Sequence, residues 1–565
     1  MAPHSAIDDV DAATLNKMLA SCIRERAARR PESNAKARSA RSAADAQTLA
    51  RSLGLDPQPP KSELRAQVTG VLSREGYRVE RIRYESLPGV FVAAHLYIPE
   101  GKGPFPLVLH PHGHWTHKKS TPFVQARAIG LAVLGFAGLV VESPGRSWDE
   151  NECNERAGMG SHDDPALVMG WPVTGQYVWD LVRGLDYCQS RSDIDWTQVG
   201  ITGASGGGLA AAAAFAYDRR IGAAAIVCFA SSLESNPHNG CLCHHLPGIT
   251  RLGDRSDLLA IRAPAPILLI SATEDEEFPL VGHQKTFQKL QRVYETLGKK
   301  EAVRLEVVEG RHDYSRRMRE AMYAFFAEHL LGAPRSPYLP EPRPMTDGAH
   351  NPYERGTEPA TSPDLWVTPP SLRQTRTLRE VLADRLTDPR PEPFDAAERL
   401  IPWGRHGKIA LEIPSDELTI CDEGFSPRPE GAFVLPSQGI DFRLCVYLGI
   451  SGAEFLAQVL HLGLPGGPAG WEPSALGGDP VSAVLASLRT LSSGGAPEKT
   501  VSSVRALGPV SSRVARHLRL LRPGLKIETS HFETGWLDSV DAEDLPLIQP
   551  GARYLEWPFG GLNLS

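Results

Sequence analysis

Along this chain short apolar runs alternate with longer segments of helical spacing. Two strand-like runs, GYRVERIRYES and GVFVAAHLYIP, meet at Leu87-Pro88-Gly89 and predict a hairpin over residues 76–98. Six apolar runs follow: PLVLHPHG (106–113), FAGLVVESPG (136–145), VGITGASG (199–206), AAIVCFAS (224–231), PILLISATED (266–275) and RLEVVEG (304–310). Between and after them, QYVWDLVRGLDYCQS (176–190) and RRMREAMYAFFAEHLL (316–331) place apolar residues at helical intervals. Buried strands that alternate with helices predict a mostly parallel central sheet with helices on both faces, an α/β fold.

The flanks read differently. Residues 10–55 are rich in Ala, Leu, Arg and Lys with few breakers, so a helical leader is expected over 1–60, ended by DPQPP (56–60). Residues 336–375 are rich in Pro, Thr and Asp and lack apolar periodicity, which predicts an extended linker wrapped on the surface. Strand-like runs return in KIALEIP, DFRLCVYLGI, VSSVRALG and KIETSHFET, giving a smaller α/β domain over 376–565 after the main one at 61–335. A length of 565 residues suits two such units.

Composition narrows the class. With 41% hydrophobic and 22% charged residues the chain can bury sizeable cores, and a net charge of −7 gives no reason to expect nucleic acid as a partner. No apolar stretch approaches the roughly 20 residues of a membrane span, so no membrane partner is expected. The first twenty residues have no basic region followed by an apolar run, and the eight cysteines are scattered. Both features lead to a cytoplasmic expectation with reduced thiols. Homo-oligomerisation stays open.

The chemistry centres on Gly203-Ala204-Ser205-Gly206-Gly207, which fits G-x-S-x-G. A serine on a tight strand-to-helix turn needs small neighbours, and VGIT before it with GGLAAAAAFAY after it supply the strand and the helix. The partners of such a serine follow in the order acid, then histidine. Asp275 ends PILLISATED, with Glu274, Glu276 and Glu277 as neighbouring acids, and His312 follows RLEVVEG. Both lie at carboxyl ends of strands, where sites in open α/β sheets are built. Imidazole would take the serine proton, the acid would fix the imidazole tautomer, and backbone N–H groups would face the developing oxyanion. Gly206 and His114 are the expected oxyanion donors.

The chain resembles the acetyl xylan esterase-like branch of the α/β-hydrolases, related to dienelactone hydrolases and prolyl-oligopeptidase-type catalytic domains. The matching pieces are PGVFVAAHLYIP, the HPHGHW loop, WDLVRGLDYCQSRSDIDWTQVGITGASGGG, and SDLLAIRAPAPILLISATEDEEFP with GRHDYS, in order over 70–335. The resemblance implies Ser205, Asp275 and His312 as the triad, His114 as the second oxyanion donor, and hydrolysis of a small-molecule ester without a cofactor. Gly206 departs from related glucuronoyl esterases, which carry arginine just after the nucleophile. Amide or lactone cleavage on the same triad, or a non-catalytic binding role, remain as alternatives. The prolyl-oligopeptidase lineage adds a propeller before its catalytic domain, for which the leader here is too short.

Several other features compete for attention. His110, His112, His114 and His117 lack the matching ligands of a zinc site, and Cys241-Leu242-Cys243-His244-His245 is spaced too tightly for a zinc knuckle, so no metal is expected. Cys243 and His244, with Trp115 and Trp171, are expected substrate-pocket residues. Glu142 is expected to pair with Arg146, and Asp163-Asp164 to be a solvated loop. In the C-terminal unit, VLASLRTLSS followed by VSSVRALGPVSSRVARHLRLL echoes the order of elements around Ser205, with Val510 at the serine position. That echo is either a degenerate second hydrolase domain or the ordinary likeness of strand–turn–helix pairs.

Overall fold

A computed structural model describes residues 35–115, 117–144, 172–235, 246, 249–343, 345, 356–367, 417–422, 433–435, 503–507 and 526–529. The chain divides into two compact units, Arg26–Val381, and Met1–Glu25 with Leu382–Ser565.

Among the described residues the first element of this unit is helix α1 (Ala35–Ser52). Strands β1 (Gln67–Arg74), β2 (Tyr77–Leu87) and β3 (Val90–Pro99) form an antiparallel meander, and Gly89 turns β2 into β3 with φ +74°. Then come β4 (Phe105–Leu109), α2 (Pro122–Val133), β5 (Ala137–Val141), α3 (Val173–Gln189), β6 (Ile194–Ala204), α4 (Gly206–Tyr217) and β7 (Ala223–Val227). The remainder is α5 (Ile249–Leu252), α6 (Arg255–Ala260), β8 (Ile267–Ala272), α7 (Leu280–Thr296), β9 (Val303–Val308) and α8 (Arg316–Leu331). The nine strands make one sheet in the order β1-β2-β3-β5-β4-β6-β7-β8-β9, parallel from β5 through β9.

Sequence explains the layers. The parallel strands β5 and β7 are buried at every position, so they read as continuous apolar runs. Helices α2 and α8 cover one face, and α8 buries Met318, Met322 and Phe325 at helical spacing before Gly332 ends it with φ +68°. Helices α1, α3, α4, α6 and α7 lie on the other face, where the alanines of α4 allow close approach to the sheet.

The described parts of 336–367 pack on this unit rather than merely trailing over it. Met345, Ala360, Leu365 and Val367 are buried. Arg319 forms a buried ion pair with Glu341, and the His95 ring bonds the Leu365 carbonyl at 2.7 Å. Few apolar residues suffice to anchor an extended segment when buried polar groups meet its backbone.

In the second unit, β10 (Glu417–Asp422), β11 (Phe433–Leu435), β12 (Ser503–Leu507) and β13 (Lys526–Thr529) form a parallel sheet ordered β11-β10-β12-β13. VSSVRALG and KIETSHFET contain β12 and β13, whereas KIALEIP and DFRLCVYLGI lie outside the described residues. β10 and β11 were not expected; ELTICD opens and closes on acids and FVL is only three residues long, so neither carries much apolar signal. Taken in chain order, the second strand lies beside the first, followed by the third and fourth. The first unit arranges β5-β4-β6-β7 in the same relative order.

Candidate active site

Ser205 sits between β6 and α4 with φ 60° and ψ −127°, a conformation that costs on the order of 1–3 kcal/mol for a residue with a side chain. The surrounding glycines make the turn sterically feasible. A Cβ at Gly203 would come within 2.2 Å of the Gly207 carbonyl oxygen, and one at Gly207 within 2.7 Å of the Pro111 oxygen and the His112 carbonyl carbon. Backbone therefore packs directly on backbone where the serine turn meets the loop after β4. The Ser205 N–H donates to the Val227 carbonyl at 3.2 Å, which ties the turn to the end of β7.

The loop after β4 is held from three directions. Tyr177, on α3, accepts the His112 backbone N–H at 2.8 Å and donates to the Val141 carbonyl at 2.9 Å. Arg127, wholly buried on α2, donates to the Pro111 carbonyl at 2.8 Å. Burial lowers its pKa to about 10, which still leaves it charged at neutral pH. The His112 ring accepts from the Ser143 N–H on Nε2 at 3.0 Å, so Nδ1 carries the proton and donates to the Gly113 carbonyl at 2.9 Å. Burial, with the nearby Lys118, Arg127 and Lys119 charges, holds that imidazole well below its usual pKa and therefore neutral.

Asp275 and His312 leave the ends of β8 and β9. His312 Nδ1 lies 2.9 Å from Asp275 Oδ2, and the Asp275 carboxylate is completely buried. Its Oδ1 accepts from the backbone N–H groups of Glu277 at 3.0 Å and Phe278 at 2.8 Å. Of the four consecutive acids 274–277, Asp275 alone is buried; Glu274, Glu276 and Glu277 are exposed. The imidazole ring stacks near Phe278 at 5.7 Å and near Trp115 at 6.2 Å. Burial alone would lower the His312 pKa, but the hydrogen bond and charge of Asp275, helped by Glu277 and Asp313, raise it above the ordinary histidine value.

The fold thus collects Ser205, Gly206, His114, Trp115, Asp275 and His312 at the carboxyl edge of the sheet. His114 and Trp115 are half-buried, and Gly206 is the first residue of α4. Trp171, Cys243 and His244 lie outside the described residues. His110 and His112 are buried, and both ring nitrogens of His112 are engaged as described above. Glu142, at the end of β5, forms an ion pair with Lys119 at 2.5 Å, both side chains buried. Arg146 lies outside the described residues. Among the described residues one group of His, Cys and carboxylate atoms is close enough to hold a cation, and it consists of Cys228, Asp275 and His312. The sequence reading missed Tyr177, Arg127, Phe278 and Cys228, which look like ordinary core residues until the loops converge on them.

Sheet order, serine turn and the Asp275–His312 pair define the fold class as α/β-hydrolase. Residues 58–235 match the family model described as acetyl xylan esterase (AXE1). The first unit is an acetyl xylan esterase-like carboxylic ester hydrolase. The Bacillus subtilis (strain 168) protein YtaP, a hydrolase by name, is 25% identical over 241 residues, covering 39% of this chain and 76% of its own. Among solved structures, Methylesterase BT1017 is 24% identical with a TM-score of 0.44, covering 56% of this chain and 68% of its own. A promiscuous CE15 esterase from a marine bacterial metagenome is 19% identical with a TM-score of 0.37, covering 50% and 90%.

Proposed function

We propose that the first unit cleaves a carboxylic ester, such as an acetyl ester of a sugar or another small molecule, through an acyl-enzyme on Ser205. The observation that carries this reading is the 2.9 Å contact between buried Asp275 and His312, at the same carboxyl edge of the sheet as the strained serine turn. Asp275 accepts a hydrogen bond from the Nδ1–H of His312, which leaves Nε2 as the base that removes the Ser205 proton. Ser205 Oγ then adds to the ester carbonyl, and the N–H groups of Gly206 and His114 receive the oxyanion. Collapse of the tetrahedral intermediate expels the alcohol, which takes the proton from His312. Water, deprotonated by His312, then releases the acid and restores Ser205.

A second reading concerns residues 382–565. The matching strand order of β11-β10-β12-β13 and β5-β4-β6-β7 favours a hydrolase-like second domain without a nucleophile. Val510, which lies outside the described residues, stands in the sequence where the first unit has Ser205.

One experiment addresses both. A fluorophosphonate should label one serine per full-length chain, and Ser205→Ala should abolish both labelling and turnover of p-nitrophenyl acetate. Undiminished turnover in that variant would sink the first reading, and a second labelled serine after residue 381 would sink the second.

A further inference from the structure

Cys228 is the first residue beyond β7. Its N–H still follows the sheet, donating to the Ile270 carbonyl at 2.9 Å, but its φ is +43°. That left-handed conformation is uncommon for a residue with a side chain. The preceding carbonyl, Val227, is the one that accepts the Ser205 N–H. The Cys228 side chain is a free, buried thiol. Its Sγ, a carboxylate oxygen of Asp275 and a ring nitrogen of His312 all lie within 4.8 Å of one another.

Asp275 has room for this neighbour. A carboxylate offers about four lone-pair positions. Three are taken, by the N–H groups of Glu277 and Phe278 and by His312 Nδ1. Burial raises the Cys228 pKa well above the ordinary thiol value, and the charge of Asp275 raises it further. The group therefore stays an S–H donor rather than becoming a thiolate. It cannot act as a nucleophile in that state.

We propose that the Cys228 thiol donates a fourth hydrogen bond to Asp275, which makes Cys228 a positioning residue for the triad acid. The inference rests on reading Ser205, His312 and Asp275 as a hydrolytic triad. A donor on the carboxylate draws off part of its negative charge. It thereby weakens the pull of Asp275 on the His312 proton and restrains the rise of the His312 pKa. The other charged and titratable groups around this pair are Glu277 and Asp313 beside His312, and His283, which faces both Asp275 and the imidazole and itself has Arg255 nearby.

The test compares Cys228→Ala with Cys228→Ser in the full chain. Loss of the donor in Cys228→Ala should move the acid limb of kcat/KM upward by about half a pH unit. Cys228→Ser, whose hydroxyl can still donate, should keep the wild-type limb. Identical profiles for all three proteins, or equal shifts in both variants, would overturn the proposal. A second measurement needs no turnover. The S–H stretch isolated by a wild-type minus Cys228→Ser infrared difference should lie at the frequency of a hydrogen-bonded thiol. A band at the free-thiol position would overturn the proposal even where Ser205→Ala had already removed the esterase reading. A bonded band with Ser205→Ala fully active would instead overturn that reading alone.

Discussion

At the scale of single residues, the site is a contest between burial and partners. His312 is buried enough for desolvation to favour the neutral ring, yet Asp275 wins and raises its pKa. As the base of the reaction it works only when deprotonated, so kcat/KM should fall as pH drops through a midpoint above the usual histidine value of about 6.5. Asp275→Asn removes the charge that raises this pKa and disturbs the tautomer. Its acid limb should move to lower pH while kcat drops by about 10³–10⁴-fold, both read from pH–rate profiles. An unshifted limb would show that another group, such as Glu277, sets the His312 pKa. Ser205 and Gly207 were legible in the sequence because a strained turn restricts which residues can stand there. Cys228 was not, since its apolar neighbours make it resemble any small core residue.

At the scale of elements, the loop after β4 owes its shape to helices far from it in sequence. Tyr177 on α3 holds the His112 N–H and Arg127 on α2 holds the Pro111 carbonyl. Neither residue could be assigned this role from spacing, because each lies within a run that simply reads as helix. Tyr177→Phe removes a hydroxyl that makes two buried hydrogen bonds, and should lower stability by about 1–3 kcal/mol in chemical denaturation. Because the loop would carry the His114 oxyanion donor, kcat should fall more than KM changes. A loss confined to KM would place Tyr177 in substrate binding instead. The hairpin of β2 and β3 and the strand–turn–helix at Ser205 were readable locally, since each depends on contacts within a few residues.

At the scale of the whole molecule, buried histidines couple stability to pH. His110, His112, His283 and His329 all have pKa values lowered by burial, His283 to about 4. The unfolded chain binds their protons near pH 6.5 while the folded chain does not, so each group costs stability as pH falls below that value. His312, raised by Asp275, acts in the opposite direction, contributing stability that is present at low pH and lost as pH rises through its folded pKa. Four groups against one predict a melting temperature that declines as pH is lowered from about 7 toward 5. Calorimetry across that range would show it, and a flat profile would mean that these rings take up protons while still folded.

The amino-acid sequence alone determined the α/β class, the strands β2 to β9 of the first unit, the serine turn, and the positions of Asp275 and His312 at strand ends. Those features depend on periodicity and on short-range steric rules, which are written along the chain. Tertiary structure decided which of four adjacent acids is buried against the histidine, where Glu142 finds its partner, and how the segment after residue 335 docks. It also placed Cys228 within reach of Asp275. Each of these is a contact between residues more than twenty positions apart, brought together only when the chain folds.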